Sequence, residues 1–230
     1  MLEAKKLSKK YGDHQALVDL DLAIGSGEVF CLLGQNGAGK TTTIYMFLGF
    51  INPSGGKALI NGVEVNKDQQ TNQLIAYIPE VVQLYGNMNG LENLEFFSRL
   101  SGYKHTHNEL TALLFKACLQ EDAHQKKLSF YSKGMRQKVG IAIALSKNAQ
   151  FIFMDEPTSG LDPKATDEFT VICKELAAEG KSIFMATHDI FNAVNVGTSI
   201  GIMKEGRLIH SADTKGINAN QLQELYLKTI

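Results

Sequence analysis

The sequence predicts an α/β domain with a mixed sheet, an N-terminal antiparallel β portion and an inserted helical lobe. Three observations carry that class. Apolar runs of strand length, such as Val29–Leu33, Phe151–Met154 and Ser182–Ala186, alternate with helical segments. Alternating and hairpin-type strands crowd the chain before Val65. From about Met88 to Leu145 the periodic segments are helical and none reads as a strand. One domain, residues 1–230, follows, with an α/β core over about 1–87 and 146–230 and the lobe over about 88–145.

Taken in order, Val18, Leu20, Leu22 and Ile24 alternate with Asp19, Asp21 and Ala23, which predicts a strand with one wet face. Leu2–Leu7 is its expected partner. Val29–Leu33 is continuously apolar, as a central parallel strand is. A helix is predicted over Thr41–Phe50. Lys57–Ile60 and Val63–Val65 flank Asn61-Gly62, a strong hairpin turn. Leu74–Ile78 is a further strand. Asn89 with Glu92 reads as a capped helix start, Leu91, Leu94, Phe97 and Leu100 keep helical spacing, and Gly102 stops it. A second lobe helix is predicted over about Asn108–Leu119. Asp162-Pro163 opens a helix that ends at Gly180. Ser199–Met203 and Arg207–His210 flank Glu205-Gly206 as a hairpin, and Ile217–Ile230 is a terminal helix.

The chemistry starts at GQNGAGKTTT, Gly34–Thr43, which follows a strand and opens a helix. That is the context the G-x-x-x-x-G-K-[ST] motif needs. Gly34, Gly37 and Gly39 are expected to allow positive φ and bare backbone, whose N–H groups form an anion nest at a helix N-terminus. Lys40 would reach β- and γ-phosphates, and the Thr41 hydroxyl would hold Mg²⁺. The core is thus that of a P-loop NTPase. Phe151–Met154 runs into Asp155-Glu156: a strand-end acid beside such a loop can hold Mg²⁺, and its neighbour can take a proton from an attacking water. Pro157–Asp162 and a histidine after the next strand, His188, complete the series. Taken alone, Tyr11 also reads as an exposed aromatic, Glu80 as a solvated acid and His188 as part of a helix start.

From about Leu2 to His210 these motifs resemble the nucleotide-binding subunit of an ATP-binding-cassette (ABC) transporter. The resemblance assigns Gly34, Gln35, Asn36, Gly37, Ala38, Gly39, Lys40, Thr41 and Thr42 to the ATP-binding Walker A loop. It assigns Asp155 to the metal, Glu156 and His188 to catalysis, and Tyr11 to stacking on adenine. Ser159–Asp162 is similar to the D-loop. Ser132, Lys133, Gly134 and Met135 stand where the family carries its LSGGQ signature, which binds the γ-phosphate of ATP held by another subunit. Two departures stand out. Tyr131, Lys133 and Met135 replace the usual residues, a pattern similar to the export-type, drug-efflux branch. Glu80 replaces a Gln, and its carboxylate is a candidate metal ligand. The resemblance implies ATP and Mg²⁺ as cofactors. It also implies a second ABC ATPase chain, a copy or a paralogue, and a separate membrane permease on whose cytoplasmic side the chain docks. Leu84, Tyr85 and Met88 read either as core or as part of that docking face.

Composition narrows the alternatives. The chain carries 23 basic and 24 acidic residues, so its net charge is -1, which argues against a nucleic-acid-coating protein. Soluble relatives acting on ribosomes or DNA, the alternative within the family, carry tandem cassettes or basic extensions. A small-molecule kinase is disfavoured by the segment at Ser132. Three cysteines, Cys31, Cys118 and Cys173, form no C-x-x-C pair, so neither zinc nor a disulfide framework is expected, and a reducing cytosol is. No apolar run is long enough to span a membrane.

Overall fold

The computed structural model describes residues 1–65 and 69–229. Ile230, the expected end of the last helix, lies outside them. The N-terminal portion is a four-stranded antiparallel sheet of β1 (Leu2–Tyr11), β2 (His14–Ile24), β4 (Gly55–Ile60) and β5 (Val63–Glu64), ordered β2-β1-β4-β5. β1 and β2 are longer than the alternation alone suggests, because their pairing continues to Tyr11 opposite His14.

The second sheet has six strands: β3 (Val29–Gly34), β6 (Ile75–Ile78), β7 (Phe151–Asp155), β8 (Ser182–Thr187), β9 (Ser199–Lys204) and β10 (Arg207–Asp213). Their order is β10-β9-β3-β8-β7-β6. All pairs are parallel except β9–β10, so the sheet is mixed.

Two apolar layers lie on its faces, and strand periodicity sorts residues between them. Phe30, Leu32, Phe151, Phe153 and Phe184 join Leu2, Leu17, Leu20 and Phe47 under the antiparallel sheet. Cys31, Leu33, Ile152, Met154, Ile183 and Met185 join Val139, Phe169 and Ile172 on the other face. Phe47 belongs to α1 (Lys40–Phe47), and its ring lies 5.6 Å from Phe153 and 6.2 Å from Phe184, centroid to centroid. Burying such rings stabilises by about 3 kcal/mol each at most, and here it fixes the helix that follows the glycine loop.

Residues 88–145 hold α2 (Gly90–Leu100), α3 (His107–Lys116), α4 (Glu121–His124) and most of α5 (Lys133–Ser146), with one isolated bridge, Asn89 to Lys127. Asn89 and Glu92 form the expected capping box. The expected apolar stripe holds only in part: Leu91 and Leu94 are buried, but Leu100 is 72% exposed. The helix turns Asn93 and Ser98 inward instead, and the Asn93 amide donates to the Tyr85 and Asn89 carbonyls. α3 begins one residue before Asn108, capped by Thr106 and Glu109, and ends short of Leu119 as the chain turns at Cys118, φ 56°. Tyr85 is exposed and packs against Phe96 and Phe97, while Leu84 and Met88 are half-buried. α6 (Pro163–Ala178), α7 (Ile190–Val196) and α8 (Ala219–Thr229) complete the fold. Among the described residues no helix is long and apolar enough to cross a membrane.

Candidate functional site: a phosphate loop facing a buried carboxylate pair

β3 ends at Gly34 and α1 starts at Lys40, so the glycine loop leaves the C-terminal edge of a central strand and returns as a helix. Gly37 and Gly39 take φ of 83° and 105°. Gly34 does not adopt a positive φ, contrary to the sequence expectation. It is glycine because a Cβ there would meet the Met203 carbonyl at 2.7 Å. Gly39 is doubly constrained, since its Cβ would lie 2.5 Å from the Ala16 carbonyl. The β9–β10 turn supports the loop from outside, with Gly206 N donating to Ala38 O at 3.0 Å.

The loop lines a cleft of about 430 Å³, with Gln35, Asn36, Gly37, Gly39, Lys40, Thr41 and Thr42 on one side. Tyr11, Glu80, Asp155 and Glu156 share its wall, as do His14 and Ala16. Ala38 and Gly34 are not in that wall; Ala38 lines a smaller neighbouring hollow with Glu205.

Lys40 is 5% exposed. Its ammonium donates to Gly34 O at 2.7 Å and to Gln35 O at 3.3 Å, and lies 3.4 Å from Glu156 Oε1. The charge thus faces the loop and the cleft rather than the apolar core. Glu156 is not on the strand: it leaves β7 with φ 45°, and its N–H donates to Ala186 O at 2.8 Å. Its Oε2 lies 2.8 Å from His188 Nδ1 and accepts from His188 N at 3.2 Å. Glu156 Oε1 is buried and makes no hydrogen bond among the described residues; the Lys40 ammonium at 3.4 Å pairs it by charge.

The Thr41 hydroxyl donates to Asp155 Oδ2 at 2.8 Å. Burial raises the Asp155 carboxyl above its ordinary range; the Thr41 hydrogen bond opposes this, and the Glu156 and Glu80 charges add to it. A hydroxyl beside a buried carboxylate is a hard-oxygen pair that suits Mg²⁺, which needs few protein ligands and takes the rest from water and phosphate. Glu80, on the same wall, accepts from the Ser159 hydroxyl at its Oε1, 3.3 Å.

Comparison with known proteins gives this geometry a lineage. Residues 17–159 match the family described as ABC transporter. The chain belongs to the ABC transporter family. It is 32% identical over 97% of its length to a probable multidrug ABC transporter ATP-binding protein, YbhF, of Escherichia coli, of which it covers 39%. It is 34% identical over 91% of its length to the bacitracin transport ATP-binding protein BcrA of Bacillus licheniformis, covering 68% of that chain. The chain spans 59% of an uncharacterized ABC transporter ATP-binding protein from Synechocystis. A solved ATP-binding subunit of an ABC transporter superposes with a TM-score of 0.86 at 31% identity, covering 100% of this chain and 99% of that one. The ATP-binding cassette MJ0796, solved as a dimer in a post-hydrolysis state with ADP and Pi, superposes with a TM-score of 0.83 at 27% identity, covering 94% and 100%.

The cassette's second group of expected residues lies apart from the cleft. Ser132 caps α5, its Oγ accepting from Met135 N at 3.2 Å. Ser132, Gly134, Met135 and Asp162 line a separate groove of about 210 Å³. Lys133 is exposed and lies along the backbone of Gly160. Asp162 caps α6 by accepting from Ala165 N at 2.9 Å. Tyr131 is buried, and its hydroxyl donates to Ala123 O at 2.5 Å, so this departure fills the lobe's core. Sequence reasoning missed His14 and Ala16. The signal for His14 was available: a hairpin turn at Gly12-Asp13 puts it opposite Tyr11.

Proposed function

We infer that this chain binds MgATP in the Lys40 cleft, hydrolyses it, and couples hydrolysis to export through a separate membrane permease. The observation that carries the reading is the contiguous set Lys40–Glu156–His188 beside Thr41–Asp155. The loop amides and Lys40 hold the β- and γ-phosphates; Gly34, Gln35, Asn36, Gly37, Ala38, Gly39 and Thr42 shape that cradle. Thr41 and Asp155 hold Mg²⁺, with Glu80 a further ligand once released from Ser159. When bound, the ion neutralises charge on the β- and γ-phosphate oxygens. Glu156 accepts a proton from water as the water oxygen bonds to the γ-phosphorus. The bond from that phosphorus to the bridging oxygen breaks, and ADP leaves. His188, held at Glu156 Oε2, fixes the carboxylate and orients the γ-phosphate. Phosphoryl transfer asks mainly for positioning and charge neutralisation, which this set supplies.

Ser132, Gly134, Met135 and Asp162 line a groove apart from the cleft; as the family resemblance implies, they and Lys133 serve a nucleotide held by another cassette, a second copy of this chain or a paralogue. A working unit then has two cassettes and two composite sites. The membrane-docked, cytoplasmic-side location follows from that role, and export is supported by a relative named as a Nod factor export ATP-binding protein, 35% identical over 91% of this chain. Phosphate release from ATP without any acceptor tests the hydrolase reading. Solubilised native membranes test the rest: an integral membrane protein that co-purifies stoichiometrically supports the coupling, and recovery of the cassette free of membrane protein contradicts it.

A further inference from the structure

Tyr11 stands at the end of β1, 47% exposed, on the wall of the cleft. Strand side chains repeat every two residues, so Lys9 shares its face. The Lys9 ammonium lies 5.0 Å from the centroid of the Tyr11 ring, within cation–π range. The same ammonium donates to the Asn52 carbonyl at 2.7 Å. Asn52 belongs to the loop after α1, and that loop pins the strand twice more. Lys10 N donates to Ser54 Oγ at 3.0 Å, and Ser54 N donates to Ser8 O at 2.8 Å. Lys9 is therefore not a free surface lysine: it is tethered at its tip and laid over one face of the ring.

We propose that Lys9 is a positioning residue for the nucleotide's base, holding the Tyr11 ring from one face so that a purine stacks on the other. The proposal rests on the reading of the cleft as an ATP site with Tyr11 as its base platform. Two effects add. A ring already held in place loses less rotamer freedom when the base arrives. A cation at one face draws on the π system and makes the opposite face a better partner for an electron-rich ring. The tether passes through Asn52, so the base platform is tied to the helix that carries Lys40 and Thr41.

The test compares a ligand that has a base with one that has none. Binding of ATP and of inorganic tripolyphosphate to the full chain is measured by calorimetry for wild type, Lys9→Met, Lys9→Arg, Tyr11→Ala and the Lys9→Met/Tyr11→Ala double variant. Lys9→Met keeps the apolar stem and removes the charge. It should weaken ATP binding about threefold to fivefold and leave tripolyphosphate binding unchanged. Lys9→Arg should bind ATP as wild type does, because a guanidinium also stacks on tyrosine. In the Tyr11→Ala background Lys9→Met should have no further effect. Equal losses for ATP and tripolyphosphate, no loss for ATP, or a full loss in the Tyr11→Ala background would each overturn the proposal. Tyr11→Ala alone isolates the underlying reading: if it weakens ATP no more than tripolyphosphate, Tyr11 is not the base platform, whatever Lys9 does.

Discussion

Lys40 and Lys133 occupy the same local position. Each is the first residue of a helix, directly after its N-cap, Gly39 in one case and Ser132 in the other. A cation there opposes the helix dipole, which favours anions at that end. The two lysines resolve the conflict differently. Lys40 is buried against two loop carbonyls and the Glu156 carboxylate. Lys133 is exposed, α5 has no acid in its first turn, and among the described residues Lys133 makes no hydrogen bond or ion pair. The charge of Lys40 is compensated within the chain. Lys133 stands uncompensated beside a capping serine at a helix N-terminus. Under the proposed function its partner is the γ-phosphate held by a second cassette.

Four substitutions sharpen or break this contrast. Glu156→Gln removes the proton acceptor and keeps the shape, so hydrolysis should fall by about 10² to 10⁴ with ATP affinity nearly unchanged. Unaltered turnover in a steady-state phosphate assay would free Glu156 from the role. Lys40→Met removes a charge-assisted contact to the phosphates and leaves Glu156 buried without its cation. ATP affinity should drop about a hundredfold, and an ordinary Kd would mean the loop does not hold the phosphates. Lys133→Met should leave ATP binding to the single chain as it is, yet slow turnover by about tenfold. Weakened single-chain binding would place Lys133 in its own cleft and erase the contrast. Asn89→Ala, in the lobe but away from both regions, should cost about 1 kcal/mol of stability through its lost cap, read from urea unfolding. A loss of ATP affinity there would show that the lobe and the cleft are not separable.

Much of this was legible in the chain because phosphate chemistry narrows the options. A loop that wraps an anion needs glycines and a lysine in fixed order, and a metal carboxylate needs a strand to carry it. Hence Gly34–Thr43, Asp155 and Glu156 stood out before any coordinates. The half-buried strand over Val18–Ile24 followed from its alternation, whereas the continuously apolar Val29–Leu33 and Phe151–Met154 gave no sign of which side chains face which layer. What was not legible depended on contacts between distant segments. The ion pair of Lys40 with Glu156, the Ser159 hydroxyl on Glu80 and the Lys9 tether to Asn52 are tertiary facts with no local signature. Gly34 shows the same limit: its glycine answers to the Met203 carbonyl far along the chain, not to its own φ. Leu100 misled because a helical stripe assumes a core on one side for the whole helix, and α2 outruns its core.

The claim that two half-built regions meet across chains is tested most directly by sedimentation equilibrium of the Glu156→Gln chain, which should hold ATP without consuming it. With MgATP the mass should double. With ADP, or when Ser132→Arg is added, it should stay that of one chain. A mass that does not change on adding ATP would contradict the account.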